Sequence, residues 1–192
     1  MRIVSGKYRG RVINAPAGEG TRPTTDRVRE ALMSSLSSQC DGLEGAVVLD
    51  AFAGSGALGL EALSRGASRA VFYERDRKAQ SAIDRNISSL GLTREEARLC
   101  RQDILKAAPM SLGGPFDVVF LDPPYAYSPE EVLGFVSALK GAGRLKAGAV
   151  VVYEHALASG EAVEQAVAAV GFEPVVSKKY GKTGVTMMRC VQ

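Results

Sequence analysis

From residue 46 onward, short apolar runs alternate with segments whose apolar residues recur every three or four positions. Runs of the first kind predict buried strands, and spacing of the second kind predicts amphipathic helices. Ala46-Val47-Val48-Leu49-Asp50 is a strand followed by a glycine-rich turn and a helix from about Ala57 to Arg65, which Gly66 ends. Ala70-Val71-Phe72-Tyr73-Glu74 is the next strand, and a helix over roughly 77–90 shows Ala79, Ile83, Ile87 and Leu90 on one face before stopping at Gly91. A weaker strand covers about 97–101 and leads into Asp103. Phe116 to Leu121 is a strong strand that ends on Asp122-Pro123-Pro124-Tyr125. Ser128-Pro129-Glu130-Glu131 then reads as a helix start, with Ser128 as cap, Pro129 as first helical residue and Glu131 closing a capping box. Residues 148–153 are apolar throughout, as in the middle of a parallel sheet. Ser159 to Val170 forms a helix ended by Gly171, and two last strands, 172–179 and 183–190, pair antiparallel at an edge across Tyr180-Gly181-Lys182.

Ahead of this alternation the pattern changes. Arg2-Ile3-Val4-Ser5 and Arg11-Val12-Ile13-Asn14 flank a turn containing Gly6 and Gly10, which predicts a hairpin. Ala15 to Thr24 holds two glycines and two prolines and reads as a loop. Thr24 or Thr25 then caps a helix whose apolar positions are Val28, Leu32 and Leu36. Strands alternating with helices imply a doubly wound, mostly parallel α/β sheet with helices on both faces. Ligands of such sheets bind beyond the carboxyl ends of the strands. Four acids stand there: Asp50, Glu74, Asp103 and Asp122.

Composition narrows the class without naming the chemistry. With 192 residues, 46% hydrophobic and 23% charged, the chain suits one globular domain with an ample core and excludes intrinsic disorder. The longest apolar run, Ala147 to Tyr153, is far below the roughly 20 residues that span a bilayer. MRIVSGKYRGR lacks a signal-peptide stretch, so a cytoplasmic location and no membrane partner are expected. Cys40, Cys100 and Cys190 lie far apart, which suits reduced thiols and no metal site. Charge is unevenly spread. Residues 1–30 carry seven basic side chains against three acidic ones, a net of +4 in a chain whose total is +3. A basic arm on a near-neutral body is the footprint of docking on a polyanion, although a solvated edge would look the same.

The loop Asp50-Ala51-Phe52-Ala53-Gly54-Ser55-Gly56-Ala57-Leu58-Gly59 satisfies G-x-G-x-x-G, with Glu74 about 20 residues on. That pattern alone admits a dinucleotide. Asp50 argues otherwise, because a carboxylate at the strand end would repel a pyrophosphate at the helix N-terminus. A cationic ligand without phosphate fits better, and S-adenosylmethionine is one. Asp50 would take its ammonium, Gly54 and Gly56 would let the backbone approach, Glu74 would accept from the ribose hydroxyls, and Asp103-Ile104 would lie beside the adenine. The plainer reading of each acid is a helix cap.

Asp122-Pro123-Pro124-Tyr125 is the sharpest signal. Methylating an exocyclic amine requires pulling the nitrogen lone pair out of conjugation with the ring. Hydrogen bonds accepted from the amine by a carboxylate and a backbone carbonyl do so, and two prolines add stiffness while removing competing N–H donors. Tyr125 offers a flat face for a flipped base. A rigid turn with a buried tyrosine is the bland alternative. His155 is the only histidine and reads as a strand-end residue more than a base. Gly181-Lys182-Thr183 is a turn, since a phosphate loop would need glycine at Val176. Lys178, Lys179 and Lys182 are explained by a solvated hairpin.

Together, the cofactor loop DAFAGSGALG, the DPPY turn, the opening Arg2-Ile-Val-Ser-Gly-Lys-Tyr-Arg-Gly-Arg and the segment from Thr21 to Leu32 resemble the bacterial 16S ribosomal RNA guanine-N2 methyltransferases that modify guanine 966. These are class I S-adenosylmethionine-dependent enzymes. The resemblance implies a seven-stranded sheet with its last strand antiparallel. It also implies residues 1–24 as a basic RNA-docking extension on a single methyltransferase domain, 25–192. The site it implies comprises Asp122, Pro123, Pro124 and Tyr125 for catalysis. Asp50, Ala51, Gly54, Ser55, Gly56, Glu74, Arg75, Asp103 and Ile104 would hold S-adenosylmethionine, and Arg2, Lys7, Arg9, Arg11, Arg22 and Arg27 would meet RNA. The partner would be 16S rRNA, within an assembled or partly assembled 30S subunit, and the protein would be a monomer. Three other readings stay open: an adenine-N6 DNA methyltransferase, a nicotinamide-dependent oxidoreductase on the same loop, and a non-catalytic RNA-binding module. Because the arm precedes the first cofactor strand by some thirty residues, it is expected to be separable from cofactor binding.

Overall fold

In the computed structural model, which describes residues 1–16, 26–107 and 114–191, the chain divides into two compact units, Met1–Ile104 and Leu105–Gln192. The first unit carries α1 (Asp26–Gln39), β1 (Val47–Asp50), α2 (Ala57–Ser64), β2 (Arg69–Tyr73), α3 (Arg77–Leu90) and β3 (Ala97–Cys100). Its strands run parallel, with Asp50 beside Phe72 and Tyr73 beside Cys100. The second unit carries β4 (Phe116–Leu121), α4 (Pro129–Gly141), β5 (Leu145–Ala156), α5 (Gly160–Ala169), β6 (Phe172–Tyr180) and β7 (Thr183–Cys190). There β4 and β5 are parallel, while β7 is antiparallel to both β5 and β6. The seven strands follow the order β3-β2-β1-β4-β5-β7-β6, so β7 is inserted between β5 and the edge strand β6. This is the mostly parallel α/β sheet that the alternation predicts.

Sequence explains most of the elements. Val48, Leu49, Phe72, Phe116, Val118, Val119 and Phe120 are almost fully buried, as expected of parallel strands covered by helices on both faces. At α4 the capping box is complete: the Ser128 hydroxyl accepts from the Glu131 N–H at 3.3 Å, and the Glu131 carboxylate accepts from the Ser128 N–H at 3.1 Å. β5 begins at Leu145, earlier than the apolar run suggests. Phe116 pairs with Leu145 but Val118 with Val150, so an irregularity at Lys146–Gly148 lets an exposed stretch enter the strand, and Gly148 supplies the positive φ of 76°.

Two expectations change at the N-terminal side. The first fourteen residues do not form paired strands. A single antiparallel bridge joins Arg2 and Val12, supported by Ile3 N–H to Arg11 C=O at 3.0 Å and Ile13 N–H to Met1 C=O at 3.0 Å. The Gly10 N–H still closes the turn onto the Ile3 carbonyl at 2.9 Å, but the amides that would extend the first strand turn away: Val4 and Ser5 donate to the Glu61 carboxylate on α2, and Lys7 donates to the Ser64 carbonyl. Satisfying them on a neighbouring helix leaves nothing for a second ladder. In α1, Leu32 and Leu36 are buried as the spacing predicts, but the buried face also contains Arg29, and Val28 is only half-buried. The cap at Thr24 or Thr25, most of the loop before it, and Arg22 lie outside the described residues.

Candidate active site

The chemistry-bearing residues fall into two groups, one in each unit. In the first unit the loop after β1 is shaped by its glycines. Gly56 takes φ of 79° at the start of α2, a conformation that residues with a Cβ avoid. A Cβ on Gly59 would lie 2.4 Å from the Phe72 ring, so α2 meets β2 closely only because that position is glycine. Gly54 is open, with no atom within 4 Å of where a Cβ would stand.

Asp50 and Glu74 hold this loop from two sides. Asp50 is almost fully buried and its Oδ2 accepts from the Gly59 N–H at 3.0 Å. The strand-end acid therefore satisfies an amide in the first turn of α2, whose N-cap is Gly56. Burial lifts its carboxyl from the ordinary 3.8 to about 7, the Gly59 N–H pulls it back, and nearby Glu74 adds to the rise. One oxygen of Glu74 accepts from the Gly54 N–H at 2.8 Å and the other from the Asp76 N–H at 2.7 Å. Each carboxylate oxygen retains a further lone pair. Arg75 reaches Asp103 at 3.5 Å, and Ala51 and Ile104 are buried. Ser55 is buried, and its carbonyl accepts from Asn86 on α3 at 2.9 Å.

In the second unit Asp122 is half-buried, Pro123 is buried, and Pro124 and Tyr125 are exposed. The Pro124 carbonyl accepts from the Tyr127 N–H at 3.1 Å, which closes the turn. Tyr125 exposes 59% of its surface, yet its hydroxyl lies 3.2 Å from the Thr183 hydroxyl at the start of β7. The ring is thus held at its tip and bare on its face. A shallow cleft of about 20 Å³ adjoins it, lined among others by Pro123, Pro124, Tyr125, Tyr153, Glu154 and His155. Burial pushes the Tyr153 phenol up to about 12, keeping it a neutral donor.

His155 is buried rather than at the surface. Its Nδ1 lies 3.0 Å from the Ala156 carbonyl and its Nε2 3.1 Å from the Thr186 hydroxyl. A carbonyl only accepts, so Nδ1 carries the proton and Nε2 accepts from Thr186. Both ring nitrogens are occupied within the fold. The ring covers Gly184, where a Cβ would come within 2.4 Å of it.

The arm residues divide by role. Arg2, Lys7, Arg9, Arg11 and Arg27 are exposed. Arg2 donates to the Gly10 carbonyl at 2.9 Å and Arg11 to the Ser89 carbonyl, and each guanidinium keeps further donors for solvent. Arg29 belongs to the interior: it pairs with Asp26 at 2.9 Å and with the fully buried Glu61 at 3.7 Å. The charge count over residues 1–30 therefore overstates the cations free to meet a partner. Glu61, Asn86 and Thr183 carry no local sequence signal; apart from the Arg65 pair four residues from Glu61, their side-chain partners named here lie 31 to 72 residues away.

A family model described as "Conserved hypothetical protein 95" matches residues 1–189. The chain belongs to this family. Curated relatives of this Conserved hypothetical protein 95 member include YlbH of Bacillus subtilis, named provisionally as an rRNA methyltransferase. It is 45% identical over 128 residues, which cover 65% of this chain and 67% of YlbH. Ribosomal RNA small subunit methyltransferase D of Haemophilus influenzae is 40% identical over 134 residues, covering 67% of this chain and 65% of that protein. Against the latter, the match spans less than two thirds of the relative's length. Among solved structures, yhhF of Escherichia coli, described provisionally as a methyltransferase, superposes with a TM-score of 0.79 at 29% identity, covering 100% of this chain and 98% of that one.

Proposed function

We propose that this protein transfers a methyl group from S-adenosylmethionine to the exocyclic N2 amine of a guanine in 16S rRNA, guanine 966 by family resemblance. The observation that carries the reading is the turn after β4. Asp122 and the carbonyl of Pro123 stand at the start of this turn, which the Tyr127 N–H closes onto the Pro124 carbonyl. Neither proline has an N–H to compete, and Tyr125 stands beside them with an uncovered face.

The first-unit loop suits the donor. Burial, with Glu74 nearby, suppresses the ionisation of the Asp50 carboxyl, and a ligand ammonium beside it would favour the charged form. Open space at Gly54 admits a ligand against the backbone, and the Glu74 carboxylate retains acceptor capacity toward a ribose diol. A pyrophosphate would instead meet Asp50, which disfavours the oxidoreductase. Bound there, S-adenosylmethionine supplies an electrophilic methyl on a positively charged sulfur.

The chain's own part is to prepare the acceptor. Tyr125 stacks the flipped base, and Thr183 fixes the ring's angle. Asp122 and the Pro123 carbonyl would accept hydrogen bonds from the two amine N–H groups, drawing the nitrogen toward tetrahedral geometry so that its lone pair can form the new N–C bond as the methyl–sulfur bond breaks and the sulfur leaves as a neutral thioether. The proton released afterwards passes to water, and no general base is required. The exposed Arg2, Lys7, Arg9, Arg11 and Arg27 would hold rRNA phosphates, a sequence-independent attraction that weakens with salt. An rRNA substrate of this kind places the work in the cytoplasm, and a single active centre is compatible with a monomer.

The test is incubation with labelled S-adenosylmethionine and, in parallel, 30S subunits, free 16S rRNA and duplex DNA, followed by nucleoside digestion. Label in N2-methylguanosine from rRNA is expected. Label in N6-methyladenine from DNA would replace this reading with the DNA enzyme.

A further inference from the structure

Asn86 is fully buried on α3, and a buried amide must find partners for all its polar groups. Its Oδ1 accepts from the Asn14 backbone N–H at 2.8 Å and from the Asn14 side-chain amide at 3.1 Å. Its Nδ2 donates to the Asn14 carbonyl at 3.1 Å and to the Ser55 carbonyl at 2.9 Å. One side chain thus spends itself on two segments, the N-terminal arm and the glycine loop. The residue after Ser55 is Gly56, the N-cap of α2, whose N–H donates to the Ala53 carbonyl at 2.6 Å, so the Ser55 carbonyl is the point at which α3 grips the loop just ahead of α2. A second contact joins the same segments: the Met1 thioether lies 3.7 Å from the Ser55 hydroxyl.

The arm is itself locked to the helix that the loop leads into. Val4 and Ser5 donate to the Glu61 carboxylate at 2.9 and 3.0 Å, and Lys7 and Tyr8 donate to Ser64 at 2.7 and 2.9 Å. Gly6 passes so close that a Cβ there would lie 1.8 Å from the Ser64 carbonyl oxygen. Thirty residues of sequence do not separate the arm from the loop; Asn86 touches both.

We propose that Asn86 is a positioning residue for the cofactor loop, and that the docked arm, through Asn14, sets the affinity of that loop for an adenosyl amino acid ligand. This rests on the reading of the loop given above. A loop held at Ser55 presents its amides already ordered, so the ligand need not meet the entropic cost of fixing them on binding. Releasing Ser55 returns that cost to the ligand.

The probe is S-adenosylhomocysteine, titrated calorimetrically into the full chain at a temperature where every variant is folded by circular dichroism. Asn86→Ala is expected to weaken binding tenfold or more. Gly6→Ala, which undocks the arm without touching the loop, should weaken it several-fold. Asn14→Ala, which retains the backbone pairing and loses one bond, should weaken it two- to threefold. Amide hydrogen exchange at residues 54–57 should quicken in the same order, while that of β4 and β5 stays as in the parent. A purely structural role predicts lowered melting temperatures with parental affinity and parental exchange at 54–57, and that result overturns the proposal. Should Asn86→Ala fail to fold, Gly6→Ala and Asn14→Ala decide the matter alone, and parental affinity in both overturns it equally. A parent that does not bind the probe would instead overturn the reading of the loop.

Discussion

The glycine loop of the first unit and the proline turn of the second reach rigidity by opposite routes. In the loop, backbone groups are held by side chains from elsewhere in the unit: Gly59 by Asp50, Gly54 by Glu74, Ser55 by Asn86. In the turn, stiffness is largely covalent, from two consecutive prolines, with the Tyr127 N–H closing the turn onto the Pro124 carbonyl and the Thr183 hydroxyl beside that of Tyr125. A site assembled from hydrogen bonds is tuned by distant residues and fails by degrees. One built from prolines is local and fails when its reacting group is lost. Substitutions in the two regions should therefore differ in kind.

The largest effect is expected at the turn. Asp122→Ala should lower turnover by roughly two orders of magnitude or more, the scale of losing one preorganised polar group at a reacting centre. Cofactor affinity should stay within a few-fold. Single-turnover kinetics beside calorimetry separates the two, and a matching loss of affinity would erase the distinction between the regions.

In the loop, Glu74→Ala removes acceptors for Gly54 and Asp76 together and should cost about 1.5–3 kcal/mol of cofactor binding. Titration calorimetry reads this directly. A variant that binds like the parent would mean the loop holds its shape without the acid.

The pH dependence sharpens the same contrast. The Asp50 carboxyl is lifted to about 7 by burial, so in the empty protein it is protonated below that point. Its protonated form favours the fold in acid, and that contribution is lost as the pH rises from the ordinary carboxylate range through about 7. A cationic ligand needs the ionised form. Cofactor affinity should accordingly climb between pH 6 and 8 with proton release, and Asp50→Asn should flatten the profile. Equal affinity at both values in the parent would remove Asp50 from the ammonium site.

Smaller effects belong to Tyr125. Replacement by Ala should cost RNA affinity about 1–3 kcal/mol through lost stacking. Tyr125→Phe keeps the face and loses only the Thr183 contact, about 0.5–1.5 kcal/mol at most. Filter binding with a short rRNA hairpin distinguishes them, and a Phe variant as weak as Ala would show that the hydroxyl governs the platform.

What could be read from sequence follows the same division. The strand ends, the glycine loop, the Ser128 cap and the proline turn are local, since period, cap and turn chemistry lie within a few residues. Arg29, Glu61 and Asn86 were illegible because a buried polar residue looks like a surface one until its partner is known. Arg29 contributes to the basic excess of residues 1–30, although Glu61 and Asp26 neutralise it inside the fold. The hairpin expected over the first fourteen residues is reduced to the single Arg2–Val12 bridge for the same reason, since Glu61 and Ser64 take amides of the arm. His155 needed Thr186 and Gly184 on the neighbouring strand to become a core residue.

The partners of the arm also impose an order on synthesis. Val4, Ser5 and Tyr8 find theirs 56 or 57 residues later, and Asn14 finds Asn86 72 residues later. At roughly 5–20 residues per second, the arm leaves the ribosome several seconds before anything it can dock on exists. These are long loops to close, which places arm docking late and makes it slow relative to local helix formation. Until then Ile3 and Ile13, both fully buried in the finished protein, remain available to other apolar surfaces.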